Sequence, residues 1–203
     1  MKTGVGKKIS LILLVGGFSE SPFVQQEIKS ALGSVGVKVM VPHQAGLAVL
    51  NGAVIYGRAP ETITTRVLRY TYGVKVEKDF REGVDPENLR NPHNRKKCIN
   101  RFSPFIKEGE SVKRGHLVPQ VYTTTSPFQP EMSVRIYTAK GSVPDYVTDS
   151  MKPLGTLRVP VPNPSDKTRK LGVIFRFGST SLGIIAIEED SRKKIVSRFD
   201  LGE

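Results

Sequence analysis

The hydrophobic pattern of this chain of 203 residues changes once, just after Arg58-Ala59-Pro60, and this change limits the folds that the chain can adopt. Before it, apolar residues recur with strand and helix periods in turn. After it, short stretches of β alternation separated by Gly and Pro continue to the C-terminus. We therefore predict an α+β protein with one domain over residues 1–60 and a second, mainly antiparallel β-sandwich over residues 64–203.

The first domain is predicted to alternate strands and helices, over residues 9–15, 22–33, 35–41 and 44–56. The first helix begins at Pro22, where a missing N–H costs nothing, and ends at Gly33. The second helix is apolar nearly all round, which is typical of a buried helix. Gly52 in its interior lowers helix propensity, and we interpret it as a place where another backbone approaches closely.

The second domain is predicted to contain short strands over residues 66–76, 117–124, 132–138, 155–161, 171–177, 183–188 and 194–201. Leu157, Val159 and Val161 show the apolar alternation that a half-buried antiparallel strand requires. Turn residues separate the last three strands, which we expect to form a meander. Residues 79–113 are polar and rich in Asn, Pro and charge, and we predict an insertion or long loop there.

A turn after the first predicted strand is the strongest local indication of a ligand site. The apolar residues 11–15 run into Gly16-Gly17, and the first helix follows. Two glycines allow φ > 0 and let the main chain approach a bound group without a Cβ in the way. The following helix directs free N–H groups at the same place. Such a turn suits a nucleotide, and the alternative is a tight strand-to-helix connection without a ligand.

Two pairs of segments resemble a known family. Residues 14–24, followed by Asn51-Gly52-Ala53-Val54, resemble the adenosine motif and second connecting helix of the actin, sugar-kinase and seventy-kilodalton heat-shock ATPase superfamily. Residues 69–74 and 146–149 are similar to the divergent member-12 branch of that heat-shock family. The resemblance implies that the first domain is a partial actin-like α/β nucleotide-binding lobe.

The second domain carries a resemblance of its own. Residues 173–177 and 183–187 are similar to the last strands of the substrate-binding β-sandwich of these chaperones. In chaperone relatives, that domain holds an extended client peptide through main-chain bonds and a side-chain pocket. The resemblance therefore implies a protein or peptide client as a partner, beside the adenosine nucleotide.

The resemblance also assigns roles to the residues of the glycine turn. It implies that Gly16 and Gly17 lie against the ribose and phosphates of ATP or ADP, and that Phe18, Ser19 and Glu20 line the adenine pocket. Ordinary chaperones of the family have an arginine that stacks on adenine at the position of Glu20. A carboxylate cannot supply that stacking, whereas the ring of Phe18 offers a substitute.

Family members hydrolyse ATP with a first lobe that supplies a phosphate-gripping hairpin, a lysine and the carboxylates that orient Mg²⁺. No counterpart of that lobe precedes Met1 in this sequence. We therefore expect the chain to be the C-terminal portion of an ATP-binding, chaperone-like stress protein. Because phosphoryl transfer needs positioned cations around the γ-phosphate, we expect no catalytic residues and no ATP hydrolysis by this chain alone.

Other interpretations of the second domain and of the charge stay open. Phe102, Phe105 and Phe128 are candidates for client contact, but we favour the interpretation that they fill the sandwich core. The net charge is +12, and the densest basic stretch, residues 90–101, has no acid and no aromatic residue. It predicts a solvated loop rather than a nucleic-acid site. The alternative functions are a nucleotide-free protein-interaction module and a basic nucleic-acid-binding surface.

The remaining reactive side chains indicate neither a metal site nor a covalent mechanism. His93, Cys98 and His116 are irregularly spaced and match no zinc module. Cys98 is the only cysteine, so no internal disulfide can form. The apolar stretch near the N-terminus, residues 9–15, is too short to span a membrane. We therefore expect a cytoplasmic protein with no membrane partner.

Overall fold

The computed structural model describes residues 9–33, 36–178 and 180–201, and it divides into two compact units between Ile63 and Thr64. Strands exceed helices and most sheets are antiparallel, so the α+β prediction is confirmed. Among the described residues, no helix is long and apolar enough to cross a membrane.

The N-terminal unit consists of a two-stranded parallel sheet and two helices. Strand β1 (Leu11–Leu13) pairs with β2 (Lys38–Met40), and helix α1 (Pro22–Gly33) connects them. Helix α2 (Ala48–Arg58) follows β2. The predicted order of strands and helices is confirmed, and α1 spans the predicted residues, with Pro22 at its first position.

Helix α2 is exposed, so the prediction that it is buried is wrong for this chain. Its apolar side chains Val49, Leu50 and Val54 are 64%, 61% and 57% exposed. A Cβ placed on Gly52 would have no atom of another element within 4 Å, so the predicted close approach of a backbone is also wrong. The physical reason is size, since a two-stranded sheet offers too little surface to bury a helix on all sides.

The regular secondary structure of the C-terminal unit consists almost entirely of strands. In chain order they are β3 (Thr65–Val67), β4 (Thr71–Asp79), β5 (Lys97–Ile106), β6 (Ser111–Lys113), β7 (Leu117–Thr123), β8 (Glu131–Ala139), β9 (Lys152–Pro160), β10 (Lys170–Phe177), β11 (Ser181–Glu188) and β12 (Lys194–Asp200). One four-stranded sheet has the order β5-β4-β8-β9 and another has the order β12-β11-β10-β7, while β3 pairs with β6. The predicted meander of the last three strands is confirmed.

The two four-stranded sheets share one hydrophobic core. Val74 and Ile136 of one sheet and Val173 of the other belong to the same buried cluster. The ring of Tyr72 meets that of Phe177 edge-on, with centroids 5.7 Å apart. Side chains from both inner faces therefore fill the space between the sheets, as in a β-sandwich.

The prediction of a loop or insertion over residues 79–113 is confirmed for residues 80–96, which connect β4 and β5, and is wrong for residues 97–113, which contain β5 and β6. Strand β5 pairs with β4 and buries Cys98, Phe102 and Ile106. Asn100 and Pro104 occupy the alternate positions between them, and Asn100 has a φ of 60° next to a register shift. These polar and irregular positions hide the alternation on which strand prediction depends.

The three candidate phenylalanines have different environments. Phe102 is buried in a small cluster with Ala139 and Met151. The ring of Phe105 stacks on that of Phe175 with centroids 4.0 Å apart. The interpretation that these two side chains fill the core is confirmed, but it is wrong for Phe128, which is 63% exposed.

Candidate functional site

The C-terminal unit contains a groove of about 620 Å³ bordered by β4, β5, β7 and β8. The hydrogen-bonded ladder between β4 and β8 runs from Thr71 opposite Ala139 to Val74 opposite Ile136 and ends there. Beyond that point, residues 75–78 of β4 and residues 131–135 of β8 line the groove. We call these two diverging segments the fork.

The main chain of β7 also faces the groove. Within the part of the chain that the structure describes, β7 has a ladder partner on one side only, which is β10. Four consecutive residues of β7, numbered 120–123, line the groove. Because successive side chains of a strand point to opposite faces, four consecutive lining residues mean that the edge of the strand borders the groove. The groove is therefore bordered by strand edges on both sheets.

The side chains of the groove form an apolar floor and a charged rim. Val74, Met132 and Val134 are buried at the floor. Tyr122 lies beside them, and burial raises the pKa of its hydroxyl well above the ordinary value. The charged side chains that line the groove are Lys75, Glu77, Lys78, Glu131 and Arg135. Such a site can accept an apolar side chain and discriminate by charge.

A buried carboxylate fixes the loop between β4 and β5. The side chain of Asp85 is fully buried and accepts hydrogen bonds from the Arg81 guanidinium at 2.8 Å, from Arg101 at 2.8 Å and from the Tyr146 hydroxyl at 2.7 Å. The hydrogen bonds from Arg81 hold the pKa of Asp85 well below its usual range. A charge without solvent is stable only when it is paired in this way.

The loop between β4 and β5 contacts the groove through the side-chain amide of Asn91. Asn91 Nδ2 donates a hydrogen bond of 3.0 Å to Glu77 Oε2 on the wall of the groove. Because Asp85 ties this loop to β5 through Arg101, it also fixes the position from which Asn91 contacts Glu77. Asp85 is thus a positioning residue for one wall.

The basic stretch at residues 90–101 is largely neutralised by acids from neighbouring parts of the sequence. Arg90 pairs with Glu82 at 2.8 Å, and Arg95 pairs with Glu87 at 3.0 Å. Lys97 pairs with Asp79 and Arg101 with Asp85. Cations already engaged in this way leave little free positive charge for a phosphate backbone.

Cys98 and the histidines form no reactive site. Cys98 is buried, and burial raises the pKa of its thiol, which is the opposite of activation. Among the described residues, no group of three or more His, Cys, Asp or Glu side chains is placed to hold a metal ion.

The five predicted nucleotide-binding residues lie in one turn of the N-terminal unit. Gly16 has φ 92° and ψ 161°, a conformation that essentially only glycine adopts, and Gly17–Glu20 form a 3-10 turn. No atom lies within 4 Å of a Cβ placed on Gly16 or on Gly17. The ring of Phe18 is 80% exposed, and Ser19 Oγ donates to Val15 O at 2.7 Å.

Two hydrogen bonds join this turn to the loop after β2. Gly16 N donates to Ala45 O at 2.7 Å, and Gly46 N donates to Glu20 Oε1 at 2.9 Å. The Glu20 carboxylate is therefore engaged with the backbone of the second loop. Sequence reasoning assigned Glu20 to an adenine pocket and missed this contact, because the two partners are 26 residues apart.

The groove residues were not found from the sequence. Lys75, Val76 and Glu77 follow an ordinary strand alternation, and nothing in it shows where pairing with β8 ends. The point at which a ladder ends depends on the neighbouring strands, so local periodicity carries no signal for it.

The fold is a β-sandwich with a groove bordered by strand edges, and a βαβα unit precedes it in the chain. The chain is homologous to the seventy-kilodalton heat-shock family through its member-12 branch, which confirms the resemblance described above. It is 32% identical over 198 residues to heat shock 70 kDa protein 12A of human and of mouse. It is 30% identical over 204 residues to human heat shock 70 kDa protein 12B.

Each of these alignments covers 95% of this chain. The chain spans about 30% of the length of these relatives, 29% for 12A and 30% for 12B. No protein-family model matches the chain.

Replacing Asp85 with Asn should destabilise the C-terminal unit. Asp85→Asn removes the charge that Arg81 and Arg101 face, and we expect the melting temperature at neutral pH to fall by several degrees. The exposed Asp166→Asn is the matched control and should leave the melting temperature unchanged.

The pH dependence of this difference has a definite sign. A carboxyl with a depressed pKa stabilises fully above the unfolded value of about 3.9 and loses its contribution as the pH falls below it. The gap between the wild type and Asp85→Asn should therefore narrow in acid. A gap that widens in acid, or equal melting at neutral pH, contradicts the role given to Asp85.

Proposed function

We propose that the C-terminal unit binds an extended segment of another polypeptide in the groove. The observation that carries the proposal is the end of the β4–β8 ladder at Val74 and Ile136. Past this point two strands diverge, and their edges can offer N–H and C=O groups to a third strand. Strand addition at an open edge is a common mode of peptide recognition, because main-chain bonds supply affinity without requiring a particular sequence.

The composition of the groove supports a polypeptide ligand. Its floor is apolar at Met132 and Val134, so it suits the side chain of a hydrophobic residue. Its volume of about 620 Å³ lies within the range of specific ligand sites, roughly 300–1,000 Å³. Together with the heat-shock relatives, these features favour a chaperone-like role with a protein client, and we propose that this role is exercised in the cytoplasm.

Peptide binding can be measured by fluorescence anisotropy with a labelled, extended apolar peptide and the full chain. We expect saturable binding, and we expect a version of the peptide with N-methylated main-chain amides to bind about tenfold more weakly, because it loses hydrogen-bond donors. Ser133→Trp, at an exposed groove position, should block the site.

The matched control is Ser142→Trp, which adds the same bulk at an exposed position of the turn after β8. It should leave peptide affinity unchanged. The proposal fails if no apolar peptide binds, or if N-methylation and Ser133→Trp leave affinity as it was.

A second proposal concerns the N-terminal unit. We infer that it contributes the adenosine side of an ATP or ADP site, with residues 1–60 forming the C-terminal part of an actin-like lobe in a longer protein. The conformation of Gly16 and the open space beside Gly17 favour this role. Strands β1 and β2 are parallel, so the loops at their carboxyl ends lie at one edge of the sheet, where nucleotides bind in such folds.

The hydrogen bond from Gly46 N to Glu20 supports a narrower proposal for the residues of that site. Gly16, Gly17, Phe18 and Ser19 remain the proposed nucleotide contacts, whereas Glu20 holds the second loop through Gly46 N. We propose that Mg²⁺ and the groups that act on the γ-phosphate come from the remainder of the longer protein. On this account the chain alone binds no ATP tightly and hydrolyses none.

A chimera tests the nucleotide proposal. The chain is joined behind the N-terminal part of human heat shock 70 kDa protein 12A, and ATP is titrated by calorimetry. We expect binding by the chimera, and about tenfold weaker binding with Gly16→Val, because a β-branched residue is strained at φ 92°. A folded chimera that binds no ATP, or tight binding by the chain alone, contradicts the proposal.

A further inference from the structure

Two cations occupy the first positions of the fork. Val74 and Ile136 are the last paired residues of β4 and β8, and the next residues along the two antiparallel strands are Lys75 and Arg135. They would be directly opposite each other if the ladder continued. Like charges at such positions repel, so continued pairing would be unfavourable there.

No carboxylate among the described residues lies within salt-bridge distance of these two cations. Among the described residues, neither Lys75 nor Arg135 forms a salt bridge. Burial and the charge of Arg135 lower the pKa of Lys75, and the opposing effect of Glu77 is smaller. The half-buried Lys75 and its neighbour thus form a site of positive charge that no salt bridge within the described part of the chain neutralises.

The acids at the rim are held by other groups. Glu77 accepts a hydrogen bond from Asn91 at 3.0 Å. Glu131 contacts the Arg158 guanidinium at 3.2 Å and accepts a hydrogen bond from Ser133 at 3.2 Å. These contacts orient both acids toward other groups, and neither is within salt-bridge distance of Lys75 or Arg135. An anion supplied by the ligand could lie between the two cations and pair with both.

The alternation of the strands separates this charge from the apolar floor. Lys75 lies between Val74 and Val76, which pack toward the core, and Arg135 lies between the buried Val134 and Ile136. The cations therefore project from the outer face of the sheet, and the apolar side chains from the inner face. A strand added in the fork would likewise direct successive side chains to opposite faces.

We propose that the groove selects extended segments in which Asp or Glu alternates with apolar residues, with the carboxylate held between Lys75 and Arg135. This inference rests on the peptide-binding function proposed above and adds its substrate class. A polypeptide is favoured over a nucleic acid because the groove floor beneath the cations is apolar at Met132 and Val134.

The test compares labelled peptides that differ only in charge. One alternates Val with Glu, and its matched partner alternates Val with Gln; both are titrated into the full chain by fluorescence anisotropy. We expect the Glu peptide to bind about tenfold more tightly, since a charge-assisted hydrogen bond contributes more than a neutral one. This preference should shrink as the salt concentration rises.

The second part of the test removes the two positive charges of the fork. The double variant Lys75→Gln, Arg135→Gln should bind both peptides equally, with the affinity of the Gln peptide retained as evidence that the groove is intact. Arg198→Gln, which removes an exposed cation from β12, is the matched control and should keep the tenfold preference.

The outcomes separate this inference from the proposed function. Equal binding of the two peptides by the wild type, or loss of the preference in Arg198→Gln, overturns the selectivity while peptide binding stands. Failure of both peptides to bind overturns the peptide-binding function as well. A competition experiment compares single-stranded oligothymidylate with the unlabelled Glu peptide as competitors of the labelled Glu peptide. If the oligothymidylate displaces the labelled peptide at the lower concentration, a phosphate ligand is favoured and the inference is overturned.

Discussion

The groove of the C-terminal unit exists because the hydrogen-bonded ladder between β4 and β8 ends partway along both strands. Strands β4 and β8 pair over residues 71–74 and 136–139 and then separate, although each continues for several residues. Neighbours hold them apart, because β5 pairs with β4 as far as Asp79 and β9 pairs with β8 as far as Glu131. Each strand is thereby fixed on one side and open on the other. Since main-chain N–H and C=O groups must be bonded or solvated, this arrangement keeps a site available for another strand.

Features away from the fork keep it open. The register shift in β5 at Asn100 turns that strand where it lines the groove, and the Asp85 ion pairs fix the loop that reaches Glu77. At the mouth of the fork, the repulsion between Lys75 and Arg135 opposes closure of the ladder. Because neighbouring strands already hold the groove open, a ligand can bind there without the free-energy cost of separating two paired strands.

The sequence predicted the parts of the fold that are set locally. Pro22 suits the first position of a helix through its own backbone chemistry, and strict alternation marked β10 and β11. Strand β5 was missed because a bulge and polar residues interrupt its alternation. The exposure of α2 could not be predicted either, because an apolar helix indicates burial but does not show whether the chain contains the surface that covers it.

The two candidate sites also differ in how far the sequence could predict them. The glycine turn is contiguous, so its residues could be named together, and the positive φ of Gly16 is a conformation that glycine adopts without strain. The bond between Glu20 and Gly46 joins distant segments and has no local signal. The groove could not be predicted from local sequence, because it arises from the register of several strands.

Hydrogen exchange followed by mass spectrometry tests the open fork most directly. In the free chain, we expect residues 75–78 and 131–135 to exchange faster than β11, which lies between two strands of its sheet. Addition of a saturating Val–Glu peptide should slow exchange in both segments of the fork and leave β11 unchanged. Slow exchange at the fork in the free chain, or peptide protection that appears elsewhere, would contradict the account.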